Sequence, residues 1–193
     1  MRIDVDIADE LLAAELSRLS ARLRTRGDVL YGLPELPLRY RGLHFYYREA
    51  DGDYYVYVCD GKARCVGYIV FNRLVEVGKL LDAYVRAPHS KLLPAYQGLG
   101  LGKVLYGWAL QAGLCLLSGA RQSPAAHRLW QSLARRYPLR YVALRHRQLH
   151  DLGRLIDSAR LSQLSTRMLL LGEGWTMPRL QVLAQPEPLR KQR

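Results

Sequence analysis

The sequence has little cysteine and no long apolar run, and each absence excludes a class of protein. Its 193 residues include only Cys59, Cys65 and Cys115, an odd number without the spacing of a zinc site. We expect buried, reduced thiols; a disulfide between Cys59 and Cys65, which flank a predicted hairpin turn, is the less favoured alternative. No apolar stretch reaches the roughly 20 residues that span a bilayer, and residues 1–6 lack the core of a signal peptide. These features predict a cytoplasmic protein.

Several catalytic signatures are also missing. No group of His, Cys, Asp and Glu residues has the spacing of metal ligands, so we expect no metal. The Ser118-Gly119 pair lacks the pattern of a nucleophile elbow. Cys115 begins a predicted buried strand, which favours a position in the core. The sequence therefore offers no candidate metal ligand and no candidate nucleophile.

Acidic residues are scarce in the second half of the chain. Residues 1–96 carry 14 basic and 13 acidic side chains, whereas residues 97–193 carry 15 and 4, and the whole chain has a net charge of +12. Such an excess is typical of a surface that binds nucleic acid, an acidic protein or a polyphosphate. The alternative is a solvated, arginine-rich surface without a partner.

The hydrophobic patterning predicts one mixed domain. With 49% hydrophobic residues, the chain is expected to fold as a single α+β (α/β) domain over residues 1–184, followed by a basic, disordered tail over residues 185–193. Short strand-like segments separated by turn signals predict an antiparallel meander. The predicted strands are 43–48, 54–59, 64–71, a fourth centred on 80–85, 115–118, 140–145 and 167–171; the predicted helices are 7–24, 103–114 and 125–136; residues 150–155 are predicted to be helical or looped.

The most informative segment follows the fourth predicted strand. Gly98, Gly100 and Gly102 alternate with other residues just before a helix-compatible run. A glycine adopts positive φ and lets the main chain approach a ligand closely, because it has no Cβ. The start of the following helix leaves several N–H donors unpaired, which suits a phosphate or pyrophosphate. The alternative is a glycine-rich turn that only caps the helix.

The spacing of these glycines differs from two common phosphate-binding motifs. Gly-x-Gly-x-Gly is not the dinucleotide fingerprint, and no strand with an acidic residue follows about 20 residues later. Lys103 does not follow the four-residue gap of a P-loop, and no Ser or Thr comes after it. Both motifs are therefore excluded.

The segment Gln97-x-x-Gly100-x-Gly102 resembles the Gln/Arg-x-x-Gly-x-Gly/Ala motif of the GNAT acyltransferases. The order of predicted elements over roughly residues 1–145 is also similar to that family. The resemblance implies a mainly antiparallel central sheet flanked by helices, with splayed central strands. It also implies acetyl-CoA as co-substrate, its pantetheine arm held by the main chain at Tyr84 and Val85 and its pyrophosphate by the loop amides. The implied loop residues are Gln97, Gly98, Leu99, Gly100, Leu101, Gly102 and Lys103.

A second family pattern, Asn-x-x-Ala-x-x-Leu-Tyr, has the counterpart Ser123-x-x-Ala126-x-x-Leu129-Trp130. The resemblance implies that Ser123 lies near the CoA arm. The family tyrosine is the general acid for the leaving thiolate, and Trp130 cannot take this role, because its indole N–H is not a useful proton source. Tyr106, Tyr137 or water are the alternative acids.

The family reaction is direct transfer of the acyl group to a neutral amine, assisted by main-chain N–H groups and by a base that is often a carboxylate. Glu76 and Asp82, on or before the fourth predicted strand, are the candidate bases, and His89 and His44 are weaker ones. For each carboxylate, a solvated or ion-paired surface position is an equal alternative.

Three functions remain open at this point. The first is an N-acetyltransferase that acts on an unknown amine. The second is an inactive GNAT-like structural, virion or binding protein, which Trp130 suggests. The third is a nucleic-acid-directed basic protein. The tyrosine-rich segments 45–47 and 54–57 fit either cross-strand pairing or a face that binds an acceptor or stacks on bases.

Residues 118–133 also resemble acetyltransferase-like proteins of tailed bacteriophage genomes. For a phage-encoded chain, this resemblance implies a location in the host cytoplasm or in the virion.

Overall fold

The computed structural model describes residues 9–61, 64–145, 147–161 and 163–184. Ile7, the turn residue Lys62 and the predicted tail at 185–193 lie outside the described residues. No helix within the described ranges is both long enough and apolar enough to cross a bilayer. The elements in chain order are α1 (Asp9–Arg24), β1 (Leu43–Ala50), β2 (Asp53–Asp60), β3 (Arg64–Asn72), α2 (Lys79–Asp82), β4 (Val85–Leu92), a 3-10 turn (Pro94–Tyr96), α3 (Leu101–Gln111), β5 (Cys115–Leu117), α4 (Pro124–Ala134), β6 (Leu139–Arg145), β7 (Gln148–Gly153), α5 (Ser158–Leu161), β8 (Thr166–Leu170) and α6 (Met177–Ala184).

The strands form a mixed, mainly antiparallel sheet in the order β1-β2-β3-β4-β5-β8-β6-β7. The predicted meander of β1, β2 and β3 is confirmed, with Phe45 opposite Val58 and Val56 opposite Ile69. The parallel ladder between β4 and β5 has two residue pairs and ends at Arg86, although β4 continues to Leu92. A ladder this short is consistent with the predicted splay of the central strands. The predicted fold class, a mainly antiparallel sheet flanked by helices, is confirmed.

The chain divides into two compact units. The first unit consists of Met1–Asn72 and Pro88–Leu105, and the second of Arg73–Ala87 and Tyr106–Arg193. Strand β4 and helix α3 therefore each contribute residues to both units. The prediction of one domain over residues 1–184 stays a prediction.

In the first unit, α1 packs on the meander as its amphipathic pattern predicts. Leu12 and Leu16 of α1 are buried in one cluster with Cys59 and Cys65, which lie opposite each other on β2 and β3 as free thiols. The buried hydroxyl of Ser20 donates to the Leu16 carbonyl at 2.8 Å and accepts the Cys65 amide at 2.8 Å. These two hydrogen bonds tie α1 to the start of β3 and leave the buried hydroxyl of Ser20 with both a donor and an acceptor partner.

In the second unit, β5 lies in the core, as its apolar sequence predicts. Cys115, Leu116 and Leu117 are at most 1% exposed. This burial confirms the expected core position of Cys115, and it raises the pKa of the thiol to about 12. A wholly buried strand of this kind needs apolar neighbours on both faces. The neighbours include Leu81, Val85, Val142, Leu169, Trp175, Met177 and Leu180.

The predicted strand centred on residues 80–85 is wrong over most of its length. Residues Lys79–Asp82 form α2, and β4 begins only at Val85. The turn of helix forms because the Asp82 carboxylate accepts the Leu74 amide at 2.6 Å, which folds the preceding segment back, and because Leu81 is fully buried. Strand β4 then continues through Pro88, since a proline lacks only its own N–H donor.

The prediction that residues 150–155 are helical or looped is wrong over 150–153, because Gln148–Gly153 is strand β7. Residues 154 and 155 are looped, as predicted. The turn between β6 and β7 places Arg147 in the left-handed region at φ 62°. Across the two strands, Arg140 and Asp151 form a two-pronged ion pair. Both features depend on the pairing of β6 with β7. The hydrophobic pattern within one segment carries no information about such pairing.

Candidate active site

The glycine loop has the strand, loop and helix order that the sequence predicts. A 3-10 turn follows β4, and Gln97-Gly98-Leu99-Gly100 then leads into α3. Gly98 has φ 69° and Gly100 has φ 84°, in the left-handed region where other residues are strained. Leu101 is 1% exposed at the first position of the helix and anchors its start. The backbone conformation of the loop therefore favours glycine at positions 98 and 100.

After Gln97, the main-chain amides of this loop have no hydrogen-bond acceptor within the described part of the chain. The Gln97 amide donates to the Pro94 carbonyl, and the next amide with a main-chain acceptor is that of Val104, which donates to the Gly100 carbonyl. Among the described residues, the six amides from Gly98 to Lys103 have no acceptor. A series of unpaired donors at the start of a helix attracts an anion with several oxygens.

Two side-chain hydrogen bonds fix the loop, and neither of them uses a loop amide. The Gln97 side-chain amide donates to the Leu92 carbonyl at 3.0 Å, and the Tyr40 hydroxyl donates to the Leu99 carbonyl at 2.7 Å. A Cβ on Gly100 would lie 2.8 Å from the Tyr40 hydroxyl. Close packing of Tyr40 therefore gives Gly100 a second reason to be glycine.

Two exposed cations belong to the same region. Arg41 stacks on the Tyr40 ring, 5.7 Å from its centroid, and Lys103 is exposed on the first turn of α3. Neither has a carboxylate within 4.0 Å among the described residues. The sequence analysis missed Tyr40 and Arg41, because Tyr40 lies 59 residues before its partner Leu99, Arg41 is the next residue, and neither belongs to a local motif.

The structure places Tyr84 and Val85 in contacts of their own. Tyr84 precedes β4. Its ring packs against that of Trp175 at a tilt of 51°, with the centroids 4.7 Å apart, and its carbonyl accepts the Cys115 amide at 2.8 Å. Val85 is buried and pairs with Cys115 in the ladder. The main chain of these two residues is thus engaged with β5.

The candidate base Asp82 is already surrounded by donors. One carboxylate oxygen accepts Arg73 Nε at 3.1 Å, and the other accepts the Leu74 amide and lies 3.3 Å from Arg86 Nη1. Asp82 is 8% exposed. A buried carboxylate held by two arginines and an amide fits a structural role, because removing a proton from an amine requires a free lone pair.

The other candidate base, Glu76, is exposed and lies between β3 and α2. It makes no ion pair within 4.0 Å in the described part of the chain. Burial lowers the pKa of Arg167, and the negative charge of Glu76 offsets part of this effect. Glu76 is thus an accessible carboxylate with a cation in its field.

The candidate acids occupy different environments. The Tyr137 hydroxyl donates to the Gly107 carbonyl at 3.2 Å. Tyr106 is 5% exposed and packs edge-on against Trp130 at 6.3 Å. Trp130 is 3% exposed, so the residue at the position of the family tyrosine is a core residue. Ser123 is exposed and caps α4 by accepting the Ala126 amide at 3.2 Å.

No family model and no curated protein matches the chain. Among solved structures, it is similar to a GNAT superfamily phosphinothricin acetyltransferase from Sinorhizobium meliloti in complex with AcCoA, with 20% identity and a TM-score of 0.38 over 64% of this chain and 63% of that one. It is also similar to a chimera of the spermidine N-acetyltransferase SpeG from Vibrio cholerae and hSSAT, with 16% identity and a TM-score of 0.37 over 63% and 68%. The chain thus spans less than two thirds of the first of these proteins.

Proposed function

We propose that this chain is an acyl-CoA-dependent N-acyltransferase that transfers an acetyl group from acetyl-CoA to an amine. One observation carries the proposal: the six amides from Gly98 to Lys103 have no acceptor among the described residues. Main-chain donors in this number, at the start of α3, favour a ligand with several negatively charged oxygens. The pyrophosphate of CoA has this chemistry.

The residues around the loop take distinct roles in the proposal. Gly98 and Gly100 give the backbone its turn. Tyr40 holds the Leu99 carbonyl of the loop, and the Gln97 side chain holds the loop to the Leu92 carbonyl of β4. Exposed cations near the loop neutralise phosphate charge, and Arg41 joins Lys103 in this role. Loop amides position the co-substrate, and positioning of the reactants supplies much of the rate in a direct transfer.

The proposed reaction needs no covalent enzyme intermediate. The neutral amine attacks the thioester carbonyl, a C–N bond forms, the C–S bond breaks, and the amine proton passes to a base as the thiolate leaves. Glu76 is the first candidate for the base, because it is exposed and makes no ion pair within 4.0 Å in the described ranges, whereas Asp82 is held by Arg73 and Arg86. Tyr137 is the candidate acid.

An inactive GNAT-like binding protein is the second candidate function. Trp130 favours it, because this indole is buried where the family motif has a tyrosine hydroxyl. Turnover of acetyl-CoA with any amine rules it out, whereas CoA binding without turnover supports it.

Calorimetric titration with CoA tests the proposal through matched glycine variants. Gly100→Ala places a Cβ 2.8 Å from the Tyr40 hydroxyl at φ 84°, and we expect at least a tenfold loss of CoA affinity. Gly27→Ala is the control, because Gly27 has φ 91°, has open space around its Cβ and lies outside the loop. Both variants carry the strain of a left-handed alanine, about 1–2 kcal/mol. A wild-type chain that binds neither CoA nor acetyl-CoA contradicts the proposal.

A further inference from the structure

A pocket lined by tyrosines lies in the first unit. Its volume is about 410 Å³, which is in the range of pockets that hold small molecules. Strands β2, β3 and β4 supply its floor, α1 supplies one wall, and all of its residues belong to the first unit. The side chains of its floor include Tyr55, Tyr57, Tyr68, Val70, His89 and Lys91.

The floor consists of two rows of side chains on one face of the sheet. In the ladder of β2 and β3, Tyr57 lies opposite Tyr68 in the first row, and Tyr55 lies opposite Val70 in the second row. Residues two apart on a strand share a face, and directly opposed residues share it too. These four side chains therefore face the same pocket.

Strand β4 extends both rows. The Leu93 amide donates to the Val66 carbonyl at 3.0 Å, and the Lys91 ammonium lies 5.6 Å from the centroid of the Tyr68 ring. Contacts that run in opposite directions along two strands indicate antiparallel pairing. Lys91 therefore belongs to the first row, and His89, two residues earlier, belongs to the second.

The polar groups of the first row are already paired. The carboxylate of Glu15, on α1, accepts the Tyr68 hydroxyl at 2.6 Å and Lys91 Nζ at 3.0 Å. Burial opposes ionisation of Glu15, but these two hydrogen bonds outweigh it and hold the pKa of this carboxyl below its ordinary value of 4.5. One negative and one positive charge thus cancel at this end of the pocket, which gives a ligand with several positive charges no advantage.

The second row presents an aromatic and apolar surface with one free polar end. The Tyr55 ring is stacked on Tyr57, with centroids 6.3 Å apart and planes 12° apart, and Val70 is 7% exposed. His89 is exposed, and its ring has no hydrogen-bond partner among the described residues. A ligand ring that packs on Tyr55 and Val70 extends this series of aromatic contacts. His89 is then left for a polar substituent of the ligand.

We propose that this pocket holds the acceptor of the transferase and that the acceptor is a primary amine carrying an aromatic ring. The ring packs on Tyr55 and Val70, and the amine donates a hydrogen bond to a ring nitrogen of His89. The inference rests on the proposed function, and β4 joins the pocket to the glycine loop within one unit. The amine nitrogen forms the C–N bond as the C–S bond of acetyl-CoA breaks, and the amine proton passes to the base.

Calorimetric titration of the full chain with four probes, in the absence and in the presence of CoA, tests the chemistry. 2-Phenylethylamine carries both the ring and the amine, 2-cyclohexylethylamine has a saturated ring, 2-phenylethanol lacks the amine, and spermidine lacks the ring. We expect 2-phenylethylamine to bind and each of the other three to bind at least tenfold more weakly. Equal binding of any of these three overturns the assigned class of ligand. No binding of 2-phenylethylamine in either titration overturns the site, even when CoA itself binds.

Matched tyrosine variants locate the binding. Tyr55→Leu removes the aromatic ring from the second row, and we expect at least a tenfold loss of affinity for 2-phenylethylamine. Tyr54→Leu is the control, because Tyr54 is the preceding residue on β2, points to the other face and packs on Tyr47 with centroids 6.1 Å apart. We expect both variants to have similar melting temperatures. Unchanged affinity in Tyr55→Leu, or an equal loss in Tyr54→Leu, overturns the proposal.

A histidine variant tests the contact with the amine. His89→Phe keeps a planar ring and removes both ring nitrogens. We expect at least a tenfold loss of affinity for 2-phenylethylamine and an unchanged melting temperature, because His89 is exposed. His44→Phe is the control, since His44 lies on β1, stacks on Tyr46 and lies outside the pocket. Full affinity in His89→Phe contradicts the hydrogen bond assigned to His89.

Acetyl transfer separates the acceptor role from the proposed function. With acetyl-CoA, we expect kcat/KM for 2-phenylethylamine to exceed that for spermidine at least tenfold. A chain that binds 2-phenylethylamine but acetylates only spermidine overturns the acceptor role, while the proposed function stands. A chain that binds 2-phenylethylamine but neither CoA nor acetyl-CoA contradicts the proposed function and the acceptor role, while the amine site stands.

Discussion

At the scale of single residues, the glycine loop depends on a tyrosine distant in sequence. The Tyr40 hydroxyl donates to the Leu99 carbonyl at 2.7 Å, and the same oxygen occupies the space that a side chain on Gly100 would need. Because the bond uses a carbonyl, it orders the loop and leaves the neighbouring amides available. Tyr40 is thus a positioning residue in the proposed site.

Tyr40→Phe tests this role. The variant removes the hydroxyl alone, so we expect a loss of about 0.5–1.5 kcal/mol in the free energy of unfolding and a weaker affinity for CoA. Urea unfolding and calorimetry measure the two effects. Tyr31→Phe is the control, because Tyr31 is 50% exposed and lies outside the loop. Full CoA affinity in Tyr40→Phe would refute the positioning role.

Residue patterns also limit what the sequence could predict about the site. Gly98 and Gly100 were predictable, because the left-handed conformation restricts the choice of residue and leaves a visible signature. Tyr40 was not, since a tyrosine that supports a loop 59 residues later follows no local rule. The assignments of Glu76, Asp82, Tyr137 and Ser123 stay predictions, although the contacts of Asp82 favour a structural role.

At the scale of elements, local signals predicted the meander and α4 well. Ser123 caps α4 and Pro124 occupies its first turn, as the sequence indicates. The predictions failed for α2 and β7, where a contact from outside the segment decides the structure. Helix α6 was not predicted at all; its residues Met177 and Leu180 are buried against the core of the second unit. Tertiary packing thus overrode local preference in these three elements.

The hairpin of β6 and β7 contributes a stability that depends on pH. Burial opposes ionisation of Asp151, but hydrogen bonds from Arg140 and the Gly153 amide outweigh it and hold the pKa of this carboxyl below its ordinary value of 3.8. Because the pKa is lower in the folded state, the carboxylate stabilises the fold above this ordinary value. The contribution is lost as the pH falls through the folded value.

Asp151→Asn should therefore lower the free energy of unfolding at neutral pH by about 1–2 kcal/mol. The difference from wild type should shrink as the pH falls below about 4. Urea unfolding over a pH series measures both effects. Asp157→Asn is the control, since its ion pair with Arg160 is more than half exposed and should contribute little. A difference that does not vary with pH would contradict this account.

At the scale of the whole molecule, charge is unevenly distributed along the chain. Residues 97–193 carry 15 basic and 4 acidic side chains, whereas residues 1–96 are nearly balanced. Part of this excess fits a polyanionic co-substrate such as CoA. The remainder leaves open a nucleic acid or an acidic protein as a further partner, and this stays a proposal.

Titration with single-stranded RNA and duplex DNA at increasing salt concentration tests whether the basic half binds nucleic acid. If the basic half has only a solvated surface, we expect weak binding that disappears near physiological salt. Tight binding that survives at that salt would favour the nucleic-acid-directed alternative. The salt is added as chloride at constant pH, so that only the screening of the charges changes from one titration to the next.

The account depends most on the six amides between Gly98 and Lys103 and on the diphosphate that we propose they hold. Amide hydrogen exchange with and without CoA measures these donors directly. We predict that CoA slows exchange at Gly98 to Lys103 more than at the left-handed turn around Gly27. Unchanged exchange across the loop at saturating CoA would contradict the central claim.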